Sequence, residues 1–332
     1  MPTVTIVGTT TWGTTLGIVL AREGVQVRLL ARGEGEAADL EAARENARFV
    51  PGVRFPDSLH ISALPRQAFA DADITLFVVP SKTLRDNARR YAEYIGRGSI
   101  VVSATKGLEV GTSNRMSQVL EEELRADRRH GVCALSGPNL ATEIVAGKPS
   151  STVVASSDTK AATMAQSIIN SSVFRVYTND DIIGVELCGA LKNIIALGAG
   201  ITDGLGLGDN AKAAFVTRGL AEITRLGVAA GATPATFAGL AGLGDLIATC
   251  SSSFSRNHYV GEQLALGRSL EEIRDTMHNV AEGVDTTRAA LSLAGRLGVE
   301  MPIAQATHDV LFGGVSVTDT LAQLMGRNPR SE

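Results

Sequence analysis

The chain has 332 residues, 44% of them hydrophobic, and carries a formal net charge of −4 at pH 7. This length and composition predict a globular α/β protein with room for about two domains. Because the longest basic run is only Arg128-Arg129-His130, the charge pattern excludes nucleic acid and anionic membranes from the expected partners.

The cysteines indicate a reducing compartment. Cys133, Cys188 and Cys250 lie far apart and form no C-x-x-C pair, which is typical of free thiols in a cytoplasmic protein. The histidines are not at zinc-ligand spacing, so no metal is expected. No charged leader precedes the first strand, and no apolar run approaches the roughly 20 residues of a membrane helix. We therefore expect a soluble, cytoplasmic protein that does not insert into membranes.

The first half of the chain alternates between predicted strands and helices. Strands are predicted at 4–7, 25–30, 59–61, 74–79, 100–103, 132–135, 152–155 and 173–177, and helices at 12–22, 64–70, 83–94 and 159–169. Short, continuous apolar strands separated by helices are typical of a parallel, doubly wound (Rossmann-like) sheet. Beyond residue 177 the strand pattern stops.

The turn after the first strand carries part of a dinucleotide-binding fingerprint. Residues 8–13, GTTTWG, keep the first and third glycines, Gly8 and Gly13, but have Thr10 in place of the second. The second glycine usually lets the backbone approach the pyrophosphate. Gly8 and Gly13 could equally be ordinary turn and packing glycines.

The end of the second predicted strand bears on the choice of cofactor. An acidic residue there would bind a ribose 2′-hydroxyl, but the chain has Arg32, and we expect Glu34 and Glu36 in the following loop. An arginine suits a 2′-phosphate, so we expect NADPH to be used at least as well as NADH.

Two later strands end in polar turns. Lys106 follows the fifth strand, and Gly137 and Asn139 follow the sixth. Ligands gather at the carboxyl ends of parallel strands, so these turns are candidate site residues, although both could be plain loops.

The second half is predicted to be helical, which gives expected domains 1–181 and 182–332. On the first helix, Lys192 shares a face with small residues such as Cys188 and Ala196. A lysine in such a partly desolvated pocket could act as a general acid or base. The alternative is a surface lysine whose ammonium reaches water.

A segment near residue 250 suits an anionic substrate. Asp245 and Thr249 precede Arg256 and Asn257, and all four are expected in loops or at helix ends. A guanidinium beside an amide suits a phosphate group, while an unpartnered surface arginine is the plainer alternative.

With these residues in view, the chain resembles the soluble, bacterial-type NAD(P)-dependent glycerol-3-phosphate dehydrogenases. The segments that carry the resemblance are WGT at 12–14, ATKGLE at 104–109, SGPNLATE at 136–143, GALKN at 189–193, NAKAAFVTRGLAE at 210–222, GLGDL at 242–246, SRN at 255–257, AEG at 281–283 and VEMPI at 299–303. The resemblance implies a Rossmann-like domain followed by an all-helical domain. It also implies reversible hydride transfer between NAD(P)H and dihydroxyacetone phosphate, giving sn-glycerol 3-phosphate for phospholipid synthesis, usually in a homodimer.

The resemblance also assigns roles to residues. Lys192 would be the general acid/base, oriented by Asp245; Lys106 would place positive charge near the C2 oxygen; Asn193 and Thr249 would add hydrogen bonds. Substrate contacts are expected from Lys106, Gly137, Asn139, Lys192, Asp245, Ser255, Arg256 and Asn257. Cofactor contacts are expected from Gly8, Thr10, Thr11, Trp12, Gly13, Arg32, Lys106, Ala141, Arg256, Val280 and Glu282.

Two positions depart from the family pattern. Thr10 replaces a glycine and is expected to weaken pyrophosphate binding, partly offset by hydroxyls in the threonine run 9–11. Asn139 stands where serine or threonine is more usual. Two alternative functions therefore stay open: a related dehydrogenase acting on a hydroxy acid or sugar acid, and a non-catalytic dinucleotide or metabolite sensor.

Overall fold

The computed structural model describes residues 1–124, 131–277 and 281–328. The chain divides into two compact units. The first comprises Met1–Lys106 and Asn114–Glu186, and the second comprises Gly107–Ser113 and the chain from Leu187 onward. The division therefore falls inside a helix that begins at Ile182, and a short piece of the first half belongs to the second unit.

An eight-stranded sheet with the strand order 3-2-1-4-5-6-7-8 forms the centre of the first unit. The strands are β1 (Thr3–Val7), β2 (Gln26–Leu30), β3 (Leu59–Ser62), β4 (Ile74–Phe77), β5 (Ile100–Ser103), β6 (Val132–Ser136), β7 (Ser150–Ala155) and β8 (Phe174–Asn179). Neighbouring strands are parallel except for the pair β6 and β7. The predicted doubly wound sheet is confirmed.

The antiparallel β7 departs from the prediction of an all-parallel sheet. The β6–β7 connection contains only a five-residue helix, Ala141–Val145. Such a helix is about 8 Å long, whereas a parallel crossover must retrace a strand of about 17 Å. The chain therefore reverses direction, and β7 runs antiparallel to β6.

Helices cover both faces of this sheet. They are α1 (Thr11–Arg22), α2 (Glu34–Ala43), α3 (Pro65–Ala68), α4 (Ser81–Tyr91), α5 (Met116–Glu123), α6 (Ala141–Val145) and α7 (Thr159–Ile169). One core joins strand residues such as Ile6 to Leu16 of α1 and Ala165 of α7. The other joins Phe77 to Leu84 of α4. These two cores on opposite faces make the sheet doubly wound.

Helix α2 corrects the expectation of a loop after Arg32. Glu34 and Glu36 lie in its first turn. Acidic side chains near a helix N-terminus interact favourably with the helix dipole, which favours a helix here despite its weak apolar pattern.

From Leu187 onward, the secondary structure of the described part of the second unit is helical. Its helices are α8 (Ile182–Gly204), α9 (Asp209–Ala229), α10 (Pro234–Phe237), α11 (Asp245–Ser251), α12 (Arg256–Ala265), α13 (Leu270–Thr276), α14 (Glu282–Leu297), α15 (Pro302–Phe312) and α16 (Val317–Met325). A π-helical turn, Leu240–Gly244, leads directly into α11. The first five residues of α8 belong to the first unit, and the rest of α8 belongs to the second.

Helix α8 is the central helix of the second unit, and every residue from 187 to 200 is buried. By length and composition α8 could span a membrane, so the expectation that no apolar run approaches that length was wrong. However, 83% of its most apolar window is buried inside the protein, as in the core helix of a globular protein.

Helices α8 and α12 pack backbone against backbone. A Cβ added at Gly200 would lie 2.0 Å from the carbonyl oxygen of His258, and one at Gly261 would lie 1.9 Å from that of Leu197. A Cβ at Gly204 would lie 2.7 Å from the Cβ of Ala265. We call Gly200, Gly204 and Gly261 the glycine seam, because no larger residue permits this approach.

Candidate active site

The glycine turn of the first unit is fixed by close backbone packing. Gly8 has a φ of +116°, and a Cβ there would lie 2.6 Å from the carbonyl oxygen of Val78. A Cβ at Gly13 would lie 2.1 Å from the carbonyl oxygen of Gly8. Both glycines are therefore needed by the turn itself, which brings the start of α1 against the end of β1.

Thr10 is the N-cap of α1. Its hydroxyl accepts a hydrogen bond from the Gly13 N–H at 3.1 Å and donates one to the Val78 carbonyl at 3.0 Å. The Thr9 hydroxyl donates to Oε1 of Glu36 at 2.6 Å. The expectation that the Thr9 and Thr10 hydroxyls donate to a pyrophosphate is therefore corrected, because the protein already uses both donors.

Other donors remain at this turn. The backbone N–H groups of Thr11 and Trp12 lie in the first turn of α1 and have no hydrogen-bond partner among the described residues. First-turn N–H groups and the positive end of the helix dipole form an anion site. The turn thus fits a pyrophosphate, held through the backbone rather than through Thr10.

Asn46 supports the turn from behind and was not found from the sequence. Its buried amide donates to the Thr9 carbonyl at 3.1 Å and to the Thr14 hydroxyl at 2.9 Å. No local pattern links Asn46 to a turn more than thirty residues away, so only the fold shows this role.

Arg32 does not stand alone at the end of β2. Oε2 of Glu36 accepts the Arg32 N–H at 3.0 Å and lies 3.7 Å from Nε of Arg32. Together with the Thr9 contact, this places a carboxylate beside the glycine turn. The premise that no acidic residue lies there was wrong, because α2 folds Glu36 back toward β2.

The structure brings Lys106 and Gly137 together at the carboxyl ends of β5 and β6. Nζ of Lys106 donates to the Gly137 carbonyl at 2.9 Å. Asn139 uses its side chain within the protein: Nδ2 donates to the Ser151 carbonyl at 3.3 Å, and Oδ1 accepts from the Thr152 hydroxyl at 3.0 Å. These bonds hold the return into β7 and use one of the two Nδ2 hydrogens, so the substrate contact expected from Asn139 stays a prediction. Ala141 is the first residue of α6.

In the second unit, Lys192 is buried and paired. It is 5% exposed, and its Nζ lies 2.7 Å from Oδ1 of Asp245, which is 1% exposed. Nζ also donates to the Thr249 hydroxyl at 2.5 Å. The alternative of a surface lysine is excluded.

Helix α11 presents both partners of Lys192. Asp245 is its first residue, placed there by the preceding π-helical turn, and Thr249 follows one turn later. The Thr249 hydroxyl donates to the Asp245 carbonyl at 2.6 Å, so its lone pairs face Lys192. Thr249 was expected in a loop or at a helix end, and instead it lies within α11. Wide helical turns of this kind are frequent at functional sites.

The neighbouring thiol takes no part as a nucleophile. Burial raises the pKa of Cys250 to about 12, even though the Lys192 cation opposes the shift. Burial likewise raises the pKa of Cys133 to about 11. Both thiols stay protonated at neutral pH, and protonated thiols are poor nucleophiles.

Asn193 and Asn257 are paired with each other. Nδ2 of Asn257 donates to Oδ1 of Asn193 at 2.9 Å, and Oδ1 of Asn257 accepts the Gly283 N–H at 2.9 Å. The Gly283 donor fixes the orientation of the Asn257 amide. Asn193 uses one of the two Nδ2 hydrogens of Asn257, so the substrate contact expected from Asn257 stays a prediction, through the other Nδ2 hydrogen or the backbone N–H. Gly283 was missed from the sequence.

Helix α12 begins at Arg256, and its start has the features of an anion site. Ser255 is the buried N-cap, and its hydroxyl accepts the His258 N–H at 3.2 Å. The backbone N–H groups of Arg256 and Asn257 have no hydrogen-bond partner in the described ranges. Glu282, the first residue of α14, lies within reach of the Arg256 charge. Val280 lies outside the described residues.

A nucleotide-binding sheet with a glycine turn, followed by a helical unit that buries a lysine–aspartate pair, defines the class of two-domain NAD(P)-dependent dehydrogenases. The sequence model of the NAD-dependent glycerol-3-phosphate dehydrogenase N-terminus matches residues 3–162, and that of the C-terminus matches 181–322. The chain belongs to the NAD-dependent glycerol-3-phosphate dehydrogenase family.

Relatives and solved structures agree. The chain is 51% identical to a glycerol-3-phosphate dehydrogenase (NAD(P)+) of Dehalococcoides mccartyi, covering 100% of this chain and 93% of the relative. It is 46% identical to the same enzyme of Chlorobium limicola, covering 99% of each. The crystal structure of glycerol-3-phosphate dehydrogenase from Coxiella burnetii is 35% identical with a TM-score of 0.93, covering 98% of this chain and 99% of the other. The resemblance seen in the sequence is confirmed, and neither alternative function is favoured.

Proposed function

We propose that this protein catalyses the reversible reduction of dihydroxyacetone phosphate to sn-glycerol 3-phosphate with NADH or NADPH. The buried Lys192–Asp245 pair, in a chain of this family, is the observation that carries the proposal. A sensor would have no need of a proton-transfer lysine, whereas carbonyl reduction requires a proton donor.

The reaction adds a hydride to C2 and a proton to the C2 oxygen. When bound, NADH or NADPH supplies the hydride. The Lys192 ammonium donates the proton to the oxygen as negative charge develops there, and in the reverse direction the neutral amine accepts it. Asp245 and Thr249 fix the position of Nζ, so little reorganisation is needed during the reaction.

The start of α12 would bind the substrate phosphate. Two backbone N–H groups there, which have no hydrogen-bond partner among the described residues, supply donors, and the Arg256 guanidinium can add a bidentate contact. A hydroxy acid without phosphate would leave this arginine without its anion.

The glycine turn would bind the cofactor pyrophosphate. The first-turn N–H groups of Thr11 and Trp12 fit this group, and Gly8 and Gly13 allow the helix start to lie close to β1.

We further propose that the enzyme works in the cytoplasm as a homodimer and that its product feeds glycerophospholipid synthesis. Support comes from the family and from the three buried free cysteines, which suit a reducing compartment. Light scattering during size exclusion would test the dimer, since a mass of one chain would contradict it.

A spectrophotometric assay tests the activity. Nicotinamide absorbance should fall when dihydroxyacetone phosphate is added with NADH or NADPH, and it should change far less with unphosphorylated dihydroxyacetone. Absence of turnover with both cofactors, in a protein shown to be folded, would contradict the proposal.

A further inference from the structure

We propose that Glu36 is a specificity-determining residue that favours NAD(H), and that it opposes Arg32, which favours NADP(H). This inference rests on the proposed function, because it concerns the adenosine ribose of the cofactor. Glu36 would accept a ribose hydroxyl of NAD(H) and repel the 2′-phosphate of NADP(H).

Three contacts fix the Glu36 carboxylate beside the glycine turn. Oε1 accepts the Thr9 hydroxyl at 2.6 Å, Oε2 accepts the Arg32 N–H at 3.0 Å, and Nε of Arg32 lies 3.7 Å from Oε2. The Thr9 hydroxyl belongs to the glycine turn, and the Arg32 N–H lies just after β2. The carboxylate is therefore oriented and does not sample positions freely on a solvated helix face.

The position is the one where this class of fold binds the adenosine ribose. In doubly wound sheets the sugar lies near the end of the second strand, beside the first strand–helix turn. A carboxylate has about four lone-pair sites, and the Thr9 hydroxyl and the Arg32 N–H use two of them. The remaining capacity suits a hydroxyl donor. A 2′-phosphate offers only acceptors and carries the same sign of charge as Glu36.

Arg32 acts in the opposite sense. Its side chain is 78% exposed, whereas that of Glu36 is 29% exposed. The arginine can therefore turn toward a 2′-phosphate, but the carboxylate remains tied to Thr9. The preference between NAD(H) and NADP(H) then depends on the opposing effects of the Glu36 carboxylate and the Arg32 guanidinium.

A purely structural role for Glu36 makes a different prediction. Glu36 lies in the first turn of α2, and its bond to the Arg32 N–H resembles a helix cap. If capping were its only role, its loss would lower stability and would weaken both cofactors equally. The ratio of the two affinities separates the roles.

The experiment is calorimetric titration of the full-length protein with NADH and with NADPH. The variants are Glu36→Gln, Arg32→Gln, the double variant, and Glu34→Gln as a matched control. Glu34 lies in the same helix turn and is exposed, so its variant removes the same charge nearby. Emission from Trp12, the only tryptophan, gives a second binding signal in the turn itself.

We expect Glu36→Gln to move the NADPH-to-NADH affinity ratio about tenfold toward NADPH, because it removes a like charge near the 2′-phosphate. Arg32→Gln should move the ratio the other way, the double variant should return it near wild type, and Glu34→Gln should leave it unchanged. If Glu36→Gln does not fold, Thr9→Val should still narrow any preference for NADH, since it frees the carboxylate.

Two results would overturn the inference. One is a Glu36→Gln ratio equal to that of wild type, and the other is an equal shift in Glu34→Gln. If wild type binds both dinucleotides and turns over substrate while the ratio stays fixed, only the inference fails. If wild type binds neither dinucleotide, the proposed function fails and the inference fails with it.

Discussion

Among single residues, Lys192 is the most constrained. A buried ammonium is costly unless it is paired and hydrogen-bonded, and Asp245 and Thr249 meet that need at 2.7 Å and 2.5 Å. Such a pair adds little net stability over an apolar core, so its presence favours a chemical role.

Lys192→Ala should lower kcat by about 10²–10⁴-fold, because it removes the proposed proton donor. It should also lower the melting temperature, since Asp245 is left buried without its cation. Steady-state assays and thermal unfolding measure the two effects, with the exposed Lys160→Ala as control. A near wild-type kcat would remove Lys192 from the mechanism.

Arg256→Ala should raise the KM for dihydroxyacetone phosphate about 10- to 100-fold, because a charge-assisted contact to the phosphate is lost. Residual turnover of unphosphorylated dihydroxyacetone should change little. The exposed Arg274→Ala controls for loss of positive charge. Equal losses on both substrates would instead assign Arg256 to the cofactor or the fold.

Among the secondary-structure elements, the helix N-termini differ in whether they are proposed to bind an anion. Helices α1 and α12 are capped by side chains, and each start has two backbone N–H groups with no hydrogen-bond partner in the part of the chain that the structure describes. Both starts are proposed anion sites. In contrast, α15 begins against a buried carboxylate. Oε2 and Oε1 of Glu222 accept the Ile303 and Ala304 N–H groups, each at 2.9 Å.

Thr10→Gly should lower the melting temperature by only about 1 °C, since replacing the threonine N-cap of α1 by glycine costs a few tenths of a kcal/mol. It should also tighten NADH binding, because the Gly13 N–H is released for the pyrophosphate. Thr10→Ser keeps the cap and should resemble wild type in both measurements. Weaker NADH binding in Thr10→Gly would show that the turn binds the pyrophosphate better with the threonine cap than without it.

Glu222→Gln should destabilise the protein by about 1–3 kcal/mol, since an amide can accept only one of the two N–H bonds. Burial raises the pKa of Glu222 despite those bonds. The native state therefore holds a proton where the unfolded chain has released it, and the stability from Glu222 falls as pH rises through the raised pKa. The difference in melting temperature between the wild type and Glu222→Gln should become smaller from acidic to neutral pH. A difference that grows over this range would contradict the raised pKa.

The sequence predicts elements better than it predicts contacts between them. Continuous apolar runs identify the strands, and the small residues around Lys192 indicate a helix with a pocket. Glu36, Asn46 and the pairing of Asn193 with Asn257 depend on contacts across more than 25 residues, for which local patterns carry no signal. The same holds for β7, whose direction follows from the length of a connection.

For the molecule as a whole, α8 sets the arrangement of the second unit. It carries Lys192 and Asn193, and the glycine seam draws α12 against it. The helix that bears Arg256 is thereby held close to the helix that bears the lysine.

Gly261→Ala should destabilise the protein by about 1–3 kcal/mol and lower kcat/KM, because the added methyl forces α12 away from α8. Thermal unfolding and steady-state assays test this. Gly295→Ala is the matched control: nothing lies within 4 Å of its Cβ position in α14, so we expect a small gain in stability. Unchanged stability in Gly261→Ala would mean that α12 can move away from α8 at the glycine seam without loss of folding free energy.

The piece of the first half that joins the second unit, Gly107–Ser113, has an evolutionary consequence. Ser113 is buried, has a φ of +60°, and its hydroxyl lies 3.4 Å from the Arg296 guanidinium on α14, 183 positions further along the chain. Substitutions in this segment should therefore covary with α14 rather than with the adjoining strands. Recombination between homologues at residue 187 would separate the segment from the helix it packs with, so viable crossovers should be rarer there than a boundary between two compact units suggests.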